Sequence, residues 1–62
     1  MADSRDETAT YFIQALPAEL QPYAKDWWSY IRGQASLPAD RAVYGLSDRQ
    51  AQQIRLKLAQ IV

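Results

Sequence analysis

Catalysis needs a nucleophile, a base or a metal ligand. None of the 62 residues here is histidine or cysteine, so Ser4, Ser29, Ser36 and Ser47 have no imidazole to activate them and no thiolate to act in their place. Each serine reads instead as a helix cap or a loop residue. Asp3, Asp6 and Glu7 gather three acids near the N-terminus, a set that a hard cation would accept. Acids in the first turn of a helix are also what the helix dipole favours, and that explanation suffices. Gly33 and Gly45 are the only glycines and each reads as a helix stop, so there is no glycine-rich loop to cradle a phosphate. No catalytic, cofactor-binding or metal-binding residue is expected, and the chain is not expected to be an enzyme.

Base-reading side chains are better represented. The stretch ADRAVYGLSDRQAQQIRLKL has the shape of a helix, a glycine-containing turn and a second helix, an arrangement similar to helix-turn-helix units. Its second helix would offer Arg49, Gln50, Gln53 and Lys57, of which arginine and glutamine can pair with base edges. From Gly33 onward four bases face two acids, an excess small for a protein that must neutralise several phosphates. The position four before the turn glycine, where such units place a small residue, is Arg41.

The remaining signal is aromatic. KDWWSYIRG places two adjacent tryptophans and a tyrosine in little more than two helical turns. A small core without disulfide or metal needs bulky fillers, since a chain of this size buries only about 60% of the surface its unfolded form exposes. Adjacent helical residues point about 100° apart, so both indoles cannot occupy the centre of one seam. The wheel of residues 22–33 puts Trp27 near the middle of the apolar arc. Trp27 is therefore expected to be fully packed and Trp28 half exposed at the edge. Tyr11, Trp28, Tyr30, Tyr44 and Leu56 are left over once the core is assigned, and together they form the candidate surface for a partner.

The elements that must position these groups follow from period and caps. Ser4-Arg5-Asp6-Glu7 reads as a capping box, with Ala9, Phe12, Ile13 and Leu16 on one face of a helix over 5–16 that Pro17 ends. A short turn over 17–20 leads to a main helix from Pro22 to Gly33. It carries Ala24, Trp27, Trp28 and Ile31 in one stripe, Tyr23 and Tyr30 beside Trp27, and Lys25, Asp26, Ser29 and Arg32 on the opposite arc. A short helix is expected over 38–44, then a break at Gly45. Ser47-Asp48-Arg49-Gln50 forms a second capping box opening a last helix nearly to Val62, with Ala51, Ile54, Leu58 and Ile61 inward.

The expected architecture is all-α: a small three-helix bundle with an additional short helix before the last one, in a single domain over 1–62 whose first four residues form a cap or tail. The acidic, polar start is unlike a secretory signal, and no apolar run exceeds three residues against roughly 20 for a membrane span. A cytoplasmic protein is expected, with no membrane and no small-molecule substrate. The leading expectation for function is a small non-catalytic helical protein acting on another protein or on a second copy of itself, as adaptor, regulator or inhibitor. The alternative is a helix-turn-helix-like DNA-binding regulator using the last helix.

Overall fold

The computed structural model describes residues 3–62. Three α-helices form it, α1 (Ser4–Ala15), α2 (Gln21–Ile31) and α3 (Asp48–Ile61), with single 3-10 turns at Ala18–Leu20 and Arg41–Tyr44. Among the described residues there is no strand, so the all-α bundle expected from periodicity is what the chain adopts. Each helix packs against the other two.

α1 begins one residue earlier than the serine box implies. Asp3 is the cap, its carboxylate accepting from the Arg5 backbone N–H at 2.9 Å. A carboxylate at the cap both satisfies a free N–H and meets the positive end of the dipole. Ser4 is thereby the first helical residue rather than part of a tail, and Met1 and Ala2 lie outside the described residues. Ala9 and Ile13 are the buried residues of α1, while Phe12 and Leu16 pack partly against the core.

α2 opens with Pro22 in its first turn, where the missing N–H leaves no partner unsatisfied. It ends at Gly33, whose φ of 77° lets Gly33 N–H reach the Tyr30 carbonyl at 3.0 Å and Gln34 N–H the Ser29 carbonyl at 2.8 Å. Those two bonds close the left-handed glycine cap that terminates many helices. Gly45, with φ of 76°, does the same after the second 3-10 turn through Ala42 and Arg41 carbonyls.

The short helix expected over 38–44 is only one turn, Arg41–Tyr44. Asp40 takes the cap position, accepting from Ala42 N–H at 2.9 Å, and Gly45 ends the turn five residues later, which leaves no room for α-helical bonds to accumulate. Ser47 and Gln50 do form a reciprocal capping box: Gln50 N–H donates to Ser47 Oγ at 3.2 Å and Ser47 N–H to Gln50 Oε1 at 3.0 Å. Leu46, just before the cap, is buried together with Ala51 one turn inside, the staple arrangement that fixes how a chain enters a helix.

The core comprises Ala9, Ile13, Tyr23, Ala24, Trp28, Leu46, Ala51, Ile54 and Leu58, and among the described residues no charged side chain is buried. The tryptophan assignment made from the helical wheel is inverted. Trp28 is buried, 8% exposed, and Trp27 is only partly covered. The reason is a polar partner: Trp28 Nε1 donates to Asp6 Oδ1 at 2.9 Å, so α1 covers the Trp28 edge of α2 and satisfies the one N–H that burial would otherwise strand. Arg32, placed by the wheel on the solvent arc, follows Trp28 inward. It donates to Asp6 at 3.3 Å and to Asp3 at 2.7 Å, and its guanidinium lies 5.7 Å from the centre of the Trp28 ring.

Candidate functional site

Trp27 is the bulkiest side chain the bundle leaves partly open, and three neighbours fix it. Tyr23 and Tyr30 lie one turn to either side on α2, at the i−4 and i+3 positions that share a helix face. The Tyr23 ring stacks near Trp27 with centroids 6.2 Å apart, and the Tyr30 ring is tilted against it at 5.3 Å. From α3, the Arg55 guanidinium sits 5.6 Å from the Trp27 ring centre, within cation–π range, and Arg55 Nη1 donates to the Tyr23 hydroxyl at 3.0 Å. Tyr44 extends the row, edge-on to Tyr23 at 5.1 Å, and its hydroxyl donates to Asp26 at 2.5 Å. That bond holds the Tyr44 hydroxyl above its usual pKa, because losing the proton would set two anions together.

The row thus runs from Tyr30 through Trp27 and Tyr23 to Tyr44, with Arg55 clamped over its middle. Tyr23 is the buried anchor, Trp27 and Tyr44 are half-buried, and Tyr30 is 38% exposed. Chemically the surface is an aromatic shelf that carries one guanidinium, one carboxylate and the tyrosine hydroxyls. Trp, Tyr and Arg are the residue types in which binding energy concentrates at protein interfaces, because each offers large contact area and specific polar geometry.

The surface residues expected from sequence are not brought together as one patch. Tyr30 and Tyr44 belong to the row just described. Tyr11 is 75% exposed on α1, in a shallow depression with Glu7 and Gln14. Leu56 is 56% exposed on α3, beside Arg55 in sequence but turned to the outer side of that helix. Trp28 is interior and presents no surface of consequence; it forms part of the floor, with Ile13, of an open groove of about 390 Å³ between α1 and α2. Thr10, Gln14 and Lys25 rim that groove, and none of the other expected partner residues lines it.

The residues named for base reading, Arg49, Gln50, Gln53 and Lys57, are all exposed on α3. Gln50 uses its side-chain carbonyl in the cap. Arg41 is also engaged, pairing with the Asp48 carboxylate and donating to the Leu46 carbonyl at 2.6 Å. Two of the three acids clustered at the N-terminus are likewise paired internally, Asp3 with Arg5 and Arg32 and Asp6 with Arg32. Among the described residues no three potential ligands converge on a metal position, and no helix is long and apolar enough to cross a membrane.

No family model, curated protein or solved structure matches this chain.

Two residues of the candidate surface are absent from the set expected from sequence. Trp27 had a legible signal, the spacing of Tyr23, Trp27 and Tyr30 along one face of α2, but it was read as depth in the core rather than as a row along its rim. Arg55 had none, since its role is a contact between side chains 28 residues apart along the chain.

Proposed function

We propose that this chain is a small, cytoplasmic, non-catalytic helical protein that binds another protein through the Trp27–Tyr30–Arg55 surface, acting as an adaptor, regulator or inhibitor, and that a second copy of the chain is one such partner. The observation that carries this reading is the half-buried Trp27, packed against Tyr23, Tyr30 and Arg55 yet still partly exposed. A packed aromatic whose orientation is already fixed loses little further freedom on binding, so contact area translates efficiently into affinity. Binding only the folded form would also add to the stability of a chain with so small a core.

A photo-crosslinking amino acid in place of Tyr30, irradiated in the native host, tests it. Protein adducts are expected at that position and not in a control placed at Gln34. No adduct at Tyr30 beyond the control removes the reading. Self-association is tested separately by sedimentation at micromolar concentration of the parent and of Leu56→Asp and Tyr30→Asp. Unchanged monomers in all three leave only a foreign partner.

One observation favours the DNA-binding alternative: after Asp48, α3 carries Arg49, Arg55 and Lys57 and no acid. Binding to mixed duplex DNA at low salt, falling steeply as salt rises and lost in Arg49→Ala, is what that reading requires. Its absence at low salt removes it.

A further inference from the structure

Of the four arginines that the fold holds in hydrogen bonds or stacks, three are neutralised by carboxylates: Arg5 by Asp3, Arg32 by Asp3 and Asp6, and Arg41 by Asp48. Arg55 is the fourth. It is partly buried, lies over Trp27 and gives one N–H to Tyr23, and among the described residues it has no anionic partner. A guanidinium carries five donors in a planar fork, so most of its hydrogen-bonding capacity is unused. The two guanidinium nitrogens that have no partner, Nε and Nη2, are not sealed from solvent. Asp26, the acid of the row, accepts from the Tyr44 hydroxyl and forms no ion pair with Arg55. Along α3 beyond Asp48 the charged residues are all basic, and the acid at the other end of the row is Asp26.

We propose that Arg55 is a preorganised carboxylate receptor, and that the protein partner reaches this surface with an aspartate or glutamate side chain whose apolar or aromatic neighbour seats on Trp27 and Tyr30. The inference rests on the α2–α3 face being a protein-docking surface and names the chemistry that the face selects. Three features support it. The Trp27 ring and the Tyr23 hydroxyl hold the guanidinium in one orientation, which removes most of the ordering cost of a two-pronged carboxylate contact. A lone positive group on an aromatic shelf favours an acidic partner electrostatically and disfavours a basic one. A single receptive cation matches one carboxylate better than a run of phosphates, which would need several.

The test is a nuclear magnetic resonance titration of the isotope-labelled full chain with acetyl-Phe-Glu-amide and, in parallel, acetyl-Phe-Gln-amide, at millimolar peptide. The Glu peptide should shift the Arg55 Nε–H and Trp27 indole signals and leave the Trp28 indole, tied to Asp6, in place. It should bind about fivefold more tightly than the Gln peptide, the advantage of a charge-assisted pair at a partly exposed site. Arg55→Gln should erase that difference and Arg55→Lys should keep part of it. The comparison of two peptides on the unaltered chain stands even if a variant folds poorly. Equal affinities overturn the carboxylate assignment while leaving the aromatic face a docking surface. No shift at Arg55, Trp27 or Tyr30 with either peptide overturns both. A short DNA duplex that moves the same signals more tightly than the Glu peptide also overturns the proposal and gives the face to nucleic acid.

Discussion

Trp27 and Trp28 are chemically identical and adjacent, yet one stabilises the fold and the other finishes its surface. Burial of an indole removes about 150–250 Å² from water and contributes several kcal/mol before entropy is counted. Trp28→Ala should therefore cost about 3–5 kcal/mol in urea unfolding, and Trp27→Ala distinctly less. A larger loss at Trp27 would contradict the observed burial. Asp6→Ala strands the Trp28 indole N–H and one side of Arg32, and about 1–3 kcal/mol of destabilisation is expected in the same assay. Asp3 supplies a pH signature. Its carboxyl is lowered to about 2 from 3.8, chiefly by the Arg5 side-chain and backbone hydrogen bonds, with Arg32 adding to them. A depressed acid contributes stability above its unfolded pKa and loses it as pH falls toward the folded one. The parent should thus lose stability relative to Asp3→Asn between about pH 4 and 2, with no difference in slope above pH 5. At this scale the sequence showed that the two indoles must differ but not which would go inside. The wheel measures position on one helix, whereas the choice was made by Asp6 on another.

Helix ends were the most legible elements, because caps are local chemistry. Ser47 with Gln50, Gly33 and Gly45 perform the roles their types imply, and α2 and α3 begin and end within a residue or two of expectation. Ser47→Ala should cost about 1 kcal/mol and speed amide exchange in the first turn of α3. Gly45→Ala meets no steric obstacle, since the space beside its α-carbon is open, so its cost is the left-handed backbone alone, about 1 kcal/mol. Gly45→Asn, which tolerates that conformation, should cost less in the same thermal melt. The N-terminal cap was misplaced by one residue because Asp3 and Ser4 are both good caps. The carboxylate prevails through its additional bonds to Arg5 and Arg32. The segment before Gly45 was read as longer than it is, since Pro38 is a plausible helix start when Asp40 is not recognised as the cap.

For the whole molecule, composition and period sufficed to specify three helices around one core, but not which faces the three helices would leave open. That depends on how α1 and α3 divide the surface of α2, and no residue type encodes it. Because all three helices share the cluster around Trp28 and Leu58, unfolding should be a single transition, with tryptophan fluorescence and far-ultraviolet circular dichroism giving coincident urea curves. An earlier loss in one signal would mean that α1 detaches before the rest. Charge is divided as well. Residues up to Ile31 hold five acids and two bases, and those from Arg32 on hold two acids and five bases.

The clasp of Asp3 and Asp6 on Trp28 and Arg32 lies within the first 32 positions of the chain. No residue of α3 takes part in it, so the joining of the first two helices does not depend on the last. The Arg55–Trp27 stack is the opposite case: it exists only where α3 is docked on α2, so any loosening of the last helix removes the cation from the indole while leaving the clasp intact.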